Sequence, residues 1–417
     1  MMLSYEEALN KIDETVEKLP AVDNAITHIL GHVLADSITA TFDLPRFDNS
    51  AMDGYGVRGE DLLTITDGKP KELALIGVIE AGSQKAELKI EPGKAVKIFT
   101  GAKVPPSVDT VVMKEYCDDL DSAVRIKEKT EAGSNIRRAG EEFRKGDLVL
   151  PSGILVTPPV VGLIASFGHA RFKVYEKPRI TIIGTGDELV APGGELSASQ
   201  IYDSNSYALA AAIQALGLPR PIRFNIKDQE DQIETALKEA LRQTDMIITT
   251  GGVSVGDRDL VKEILEKRLG VETVFWRAKV KPGKPIYFGT TKHDGRQKLI
   301  FGLPGNPVSA LTTFNLFVKP ALAKMQGLID DRDFKPERLK ARISRSLKKK
   351  PGRLDFVRGL LSLGDDGVLT AAPTAGQDSH MLSGLARANC LIEFDEKAAK
   401  LDEGDLVTIQ KLIWSEY

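Results

Sequence analysis

Ile180-Thr181-Ile182-Ile183-Gly184-Thr185-Gly186-Asp187-Glu188 decides how this 417-residue chain is built. Four β-branched residues in a row suit a strand buried on both faces. A glycine-rich, acidic loop follows at the strand's carboxyl end. The same pattern recurs twice downstream. Residues 246–250 run into Gly251-Gly252-Val253-Ser254-Val255-Gly256-Asp257, and residues 299–301 lead to Leu303-Pro304-Gly305-Asn306-Pro307. Apolar spacing predicts helices over 206–216, 229–242, 259–268 and 307–325, and a further strand over 285–288. Strands alternating with helices imply a mostly parallel, doubly wound α/β sheet over residues 176–328.

Outward from this segment the pattern changes. Residues 329–417 hold short apolar runs at 339–343, 356–361, 368–371, 390–394 and 406–412 between turn residues, which predicts a small barrel or sandwich. Residues 45–140 hold runs at 73–79, 95–99, 110–113 and 123–126 between Gly, Pro and Asp, which predicts a small β-rich domain. The remaining stretches, 1–44 and 141–175, form an elongated linking domain, whose N-terminal helix packs on it or on the α/β domain. That helix opens on Ser4-Tyr5-Glu6-Glu7, a capping box, and its apolar repeat runs to Leu19 before Pro20. A second helix is predicted over 22–34, and an apolar one over 161–167.

Composition excludes several classes. Fifty-six basic and 59 acidic residues leave a net charge of −3, so no nucleic-acid partner is expected. Two distant cysteines, Cys117 and Cys390, make no disulfide framework or zinc site and suit a reducing cytoplasm. The N-terminus does not read as a signal peptide. No apolar run reaches the roughly 18 residues that a membrane span needs.

In an open α/β sheet, ligands bind beyond the carboxyl ends of the strands, where all three glycine-rich loops fall. Glycine lets backbone N–H groups approach an anion closely, and two of the loops run into helices whose N-termini favour negative charge. Any one such loop is equally well a plain tight turn. Three in one sheet describe a phosphate-binding rim, made of Gly184, Thr185, Gly186, Asp187, Gly251, Gly252, Ser254, Gly256, Pro304, Gly305 and Asn306. None matches a dinucleotide fingerprint or P-loop. Asp187, Glu188, Asp203, Asp228, Asp257 and Asp259 gather at the same rim and suit a hard divalent cation. Asp203, Asp257 and Asp259 also read as helix caps, whereas Glu188 has no such structural role. Lys279-Val280-Lys281-Pro282-Gly283-Lys284-Pro285 holds its lysines in a stiff turn, as point charges for a phosphate or other oxyanion.

Long ordered motifs then carry a resemblance over nearly the whole chain. They are Asp48-Asn49-Ser50-Ala51-Met52-Asp53-Gly54-Tyr55, Phe99-Thr100-Gly101-Ala102, Asn135-Ile136-Arg137-Arg138-Ala139-Gly140-Glu141, and the loops already quoted. Together they resemble the molybdopterin molybdenumtransferases, the MoeA and gephyrin E-domain family. The resemblance implies a four-domain homodimer whose α/β domain resembles molybdopterin adenylyltransferase, the implied pathway partner. It implies magnesium-dependent insertion of molybdate into adenylylated molybdopterin with release of AMP. Asp53 and Thr100 would reach the site across the dimer. Glu188, Asp228 and Asp259 would line the nucleotide and metal region, Lys281 and Lys284 would hold phosphates, and Ser309 would shape the pocket. Arg358 and Ser379 would hold molybdate, although from its sequence position Arg358 reads as a surface cation on a strand. Two positions depart from the family pattern. Glu142 stands where an aspartate is usual, keeping a carboxylate for the metal, and Asp378 stands where glycine usually precedes Ser379. Tungstate insertion by the same chemistry and a non-catalytic dimeric scaffold are the alternatives.

Overall fold

The computed structural model describes residues 2–66, 69–83, 87–251, 260–328 and 338–414. The chain divides into two compact units, one of residues 37–151 and 162–169, the other of residues 1–36, 152–161 and 170–417.

In the larger unit, Ser4 and Glu7 close the expected capping box on α1 (Tyr5–Thr15), each side chain meeting the other's backbone N–H. Tyr5 packs edge-on against Phe317 and Phe356, at centroid distances of 5.6 and 5.2 Å. The helix predicted over 22–34 does not form. That stretch holds a strand, β1 (Ala21–Ala25), and a single 3-10 turn at Ile26–His28. Asp23 and Asn24 are poor helix formers, and β1 is recruited by antiparallel pairing with residues 171–175.

The smaller unit is a six-stranded sheet of β2 (Gly54–Val57), β3 (Lys71–Ile79), β4 (Lys94–Ile98), β5 (Thr110–Met113), β6 (Cys117–Asp119) and β7 (Ala123–Ile126). Their spatial order is β5-β2-β4-β3-β7-β6. Tyr55, Val57, Leu73, Ala95, Val112 and Val124 fill one core cluster on it, and Ile79, Val96, Ile98 and Val111 a second.

The apolar helix α2 (Pro158–Ser166) leads to β8 (Arg171–Tyr175). The α/β layer follows: β9 (Ile180–Thr185), α3 (Asn205–Ala215), β10 (Ile222–Ile226), α4 (Glu230–Gln243), β11 (Met246–Thr250), α5 (Leu260–Lys267), β12 (Glu272–Trp276), β13 (Tyr287–His293) and β14 (Arg296–Leu303). The sheet order is β10-β9-β11-β14-β13-β12, parallel through the first four strands and antiparallel over the last two pairings. Every residue of β9 and of β11 is buried, because helices cover both faces. Ile233, Leu237, Ala240 and Leu241 of α4 form the apolar stripe that a surface helix needs, and pack with Ile183, Ile247 and α5. The other face packs on α3, α1 and the long segment α6 (Pro307–Thr313), a π turn at Phe314–Val318, and α7 (Lys319–Met325).

Beyond this layer, β15 (Arg338–Ile343), β16 (Leu354–Leu363), β17 (Leu369–Pro373), the short helix α8 (Leu382–Ala386), β18 (Cys390–Phe394) and β19 (Leu406–Lys411) complete the chain. Pairing in the order β16-β17-β15-β19-β18 and back to β16 closes a five-stranded barrel, the barrel-like end that the sequence implies. Closure pairs off most of the sheet edge, and the start of β16 lies beyond its pairing with β17. Val280 and Lys281 of the α/β layer pair in parallel with Leu354 and Asp355 of β16. That pairing brings the lysine turn to the barrel.

Candidate active site

Parallel register places the carboxyl ends of β9, β11 and β14 side by side, with Gly184 opposite Thr250 and Thr250 opposite Leu303. The loops that leave them meet. A Cβ on Gly251, whose φ is +84°, would stand 2.6 Å from the Thr185 carbonyl oxygen. The Cβ position of Gly305 is 4.0 Å from the Gly251 Cα. A side chain at Gly251 would clash with the Thr185 backbone, whereas one at Gly305 would meet only ordinary contact. Asn205 Nδ2 donates to the Gly305 carbonyl at 2.7 Å, while its Oδ1 is buried with no partner among the described residues. Gly252, Ser254, Gly256, Asp257 and Asp259 lie outside the described residues.

Asp187 and Glu188 are exposed on the first loop, with Asp228 exposed just beyond β10. Partial desolvation, then the charges of Asp187 and Glu188, push the Asp228 carboxyl above its ordinary range. Asp228 thus ionises against the charge of two neighbouring acids, a cost that a divalent cation would relieve. Among the described residues no group of three His, Cys, Asp or Glu is close enough to hold a metal unaided. Magnesium commonly takes only one or two carboxylates, with water and phosphate completing its shell, so the donors here suit it.

Asp203 is a cap, as its spacing suggested. It is 2% exposed and accepts both the Ser206 N–H and the Ser206 hydroxyl at the start of α3. The opposite, amino ends of the strands hold a closed ion network. Burial opposes ionisation of Asp245 there, yet hydrogen bonds from Arg179 and the charge of Lys298 keep its carboxyl below the ordinary range. That end of the sheet is fastened.

The third loop meets the barrel. Asn306 does not cap α6 with its side chain. Its Nδ2 instead donates to Ser379 Oγ at 3.1 Å, and Val308 N–H donates to the Ser379 carbonyl at 3.3 Å. Ser309 is buried behind them. The loop of Pro304 and Asn306 thus shares one junction with Ser379, although Asn306 and Ser379 stand 73 residues apart in the chain. Arg358 departs from the expected surface cation. At 1% exposure it is buried within β16, and burial lowers its pKa. Its guanidinium donates to the carbonyls of Gly376 and Asp378, and its Nε has no partner among the described residues. In this form Arg358 shapes the loop carrying Ser379. Asp378 is exposed.

In the lysine turn, Gly283 has a φ of +106° and packs against Thr313. Lys281 points an ammonium to 3.4 Å from Asp355 of the barrel, and the Lys284 carbonyl accepts Ala278 N–H.

The smaller unit brings Asp53 and Thr100 together. Thr100 donates its N–H and hydroxyl to Asp53 Oδ1 at 2.9 and 2.8 Å. Those bonds, with Lys114 3.7 Å away, hold the Asp53 carboxyl below its ordinary range. Glu142 also lies in this unit, exposed, with its N–H on the Leu44 carbonyl. The sequence reading missed Asn205 and Asn306's bond to Ser379. Only the Asx-rich run Asp203-Ser204-Asn205 hinted at the first.

Residues 3–168 match the MoeA N-terminal region (domain I and II), residues 181–324 a probable molybdopterin binding domain, and residues 340–412 the MoeA C-terminal region (domain IV). The molybdopterin molybdenumtransferase of Haemophilus influenzae is 36% identical over 414 residues, covering 98% of each chain. That of Staphylococcus aureus strain Mu50 is 35% identical over 390 residues, 94% of this chain and 91% of the other. The crystal structure of the molybdopterin biosynthesis MoeA protein from Pyrococcus horikoshii OT3 matches with a TM-score of 0.81 at 28% identity, covering 99% of this chain and all of that one. No helix among the described residues is long and apolar enough to cross a membrane.

Proposed function

The chain belongs to the molybdopterin molybdenumtransferases, enzymes of molybdenum cofactor biosynthesis, and from that premise we propose that it inserts molybdate into adenylylated molybdopterin and releases AMP. The observation that carries this reading is the convergence of Asp187, Glu188 and Asp228 beside the glycine rim of Gly184, Gly251 and Gly305. Acid and open backbone at one sheet edge suit a phosphoanhydride brought in with a divalent cation. Held by Glu188 and Asp228, magnesium would neutralise charge on the phosphate oxygens.

The chain's own groups then have distinct tasks. Backbone N–H groups of the rim orient the phosphates. Lys281 and Lys284 supply fixed positive charge. Asn306 and Ser379 offer polar contacts at the barrel junction for the incoming oxyanion, on a loop that Arg358 keeps in place. Catalysis of this kind is positioning and electrostatics, with no covalent nucleophile. The working form we propose is a cytoplasmic homodimer supplied by a molybdopterin adenylyltransferase. Asp53, Thr100 and Asp259 complete the proposed machinery.

Glu188→Ala tests the reading. Molybdenum insertion should fall about 100-fold, the scale for loss of a preorganised electrostatic group, with the fold intact by circular dichroism. Insertion at the wild-type rate would remove Glu188 from the mechanism.

A further inference from the structure

A second groove, of about 560 Å³, opens on the barrel with a lining of largely one charge. Lys281, Lys348, Lys349, Lys350 and Arg353 face it against one lining carboxylate, Asp355. The cations are not equivalent. Lys349 is nearly buried, and its ammonium serves the carbonyls of Arg353 and Phe394 and lies 3.5 Å from Asp355. Lys281 lies 3.4 Å from the other Asp355 oxygen. The lining acid is therefore already paired twice. Asp395 reaches Lys349 electrostatically, and its carboxylate accepts the Lys397 N–H. Lys348, Lys350 and Arg353 form no ion pair among the described residues.

The loop that carries these three is framed by backbone bonds. Leu347 and Lys348 pair antiparallel with Lys400 and Leu401. Lys349 N–H donates to the Ala399 carbonyl at 2.9 Å, and Gly352 N–H to the Glu396 carbonyl at 2.7 Å. Pro351 and Gly352, the latter at φ +126°, turn the chain between them. A solvated lysine run would splay its charges apart. Here the bonded backbone sets three cations, unpaired among the described residues, around one concavity, which concentrates anions. Leu347, Val357 and Phe394 add apolar lining, and the volume lies within the range of small-molecule sites.

We propose that this groove is a second anion site, taking a tetrahedral dianion: the phosphoryl group of a nucleotide or a free metal oxyanion. It shares Lys281 with the lysine turn of the reaction proposed above, and Lys348, Lys350 and Arg353 are its own cations.

The test is calorimetric titration of the full chain with AMP, molybdate and inorganic phosphate in turn. Four proteins are compared: wild type, Lys348→Gln/Lys350→Gln/Arg353→Gln, the milder Lys348→Gln/Lys350→Gln, and Lys284→Gln at the other site. The expected result is sub-millimolar binding of at least one probe. The triple variant should weaken it about 10-fold or more and the double variant by an intermediate factor, whereas Lys284→Gln, which acts on the phosphate rim, should leave the binding component lost in the triple variant in place. Binding should also weaken as salt rises from about 0.05 to 0.3 M, as screening requires. Preference for AMP over phosphate assigns the groove to a nucleotide, and preference for molybdate assigns it to the metal oxyanion. Binding of no probe below the millimolar range, or wild-type affinity in a triple variant that melts like wild type, would overturn the proposal.

Discussion

Replacing Gly283 by alanine strains the turn that presents Lys281 and Lys284. At φ +106° the residue lies outside the small left-handed region open to L-amino acids. An added Cβ would stand 2.2 Å from Thr313 Cγ2 and 3.8 Å from Val280 Cγ2. Backbone strain of this kind costs about 1–3 kcal/mol, and overpacking a filled site about 1–3 kcal/mol more. The larger unit should therefore lose roughly 2–6 kcal/mol, the sum of the two. The two contributions are separable. Thr313→Ser removes Cγ2 but keeps the hydroxyl that donates to the Ser309 carbonyl at 2.8 Å. Combined with Gly283→Ala, it should restore the overpacking part, about 1–3 kcal/mol. The assay is urea unfolding with probes in the larger unit, because two compact units need not unfold as one transition. Stability within about 0.5 kcal/mol of wild type for Gly283→Ala, or no recovery in the double variant, would refute the reasoning.

Three further outcomes follow from the site. The raised Asp228 pKa makes that carboxyl unfavourable to the fold as pH climbs from the ordinary carboxylate value through the raised one. Asp228→Asn should then raise the urea midpoint at pH 7 and change it little near pH 3, where the native residue is protonated; equal effects at both would contradict the charge crowding. Asp53 has the opposite sign: its lowered pKa favours the fold above the ordinary value, a benefit lost as pH falls through the depressed one. An NMR titration should find Asp53 ionising below a normal aspartate and moving partway back in Thr100→Val, which keeps the backbone donor. Arg358→Ala should destabilise the chain by about 2–5 kcal/mol, through a cavity and lost bonds to the Gly376 and Asp378 carbonyls; an unchanged urea midpoint would mean the side chain is not a buried strut.

The parts of the fold legible in the sequence are those whose signals are local and unopposed. Buried β-branched runs mark β9 and β11, the Ser4/Glu7 pair marks α1, and alternating turns and apolar runs mark the barrel. β10 escaped because Arg223 and Asn225 interrupt its apolar residues at the sheet edge. β1 was taken for a helix because its identity comes from pairing Ala21 with Tyr175, which no local pattern records. The site divides in the same way. Glycine-rich loops beyond strands pointed to the rim, and parallel register then brought Gly251 and Gly305 together. The burial of Arg358 was not legible, since a lone cation between apolar strand residues looks like an outward-facing one. It is buried because the 374–378 loop folds over it and offers carbonyls.

The most direct measurement is AMP release by the purified protein given adenylylated molybdopterin and magnesium, with molybdate, tungstate or neither. Release should depend on molybdate and on magnesium. Equal release without any oxyanion, or none with bound substrate and molybdate present, would contradict it.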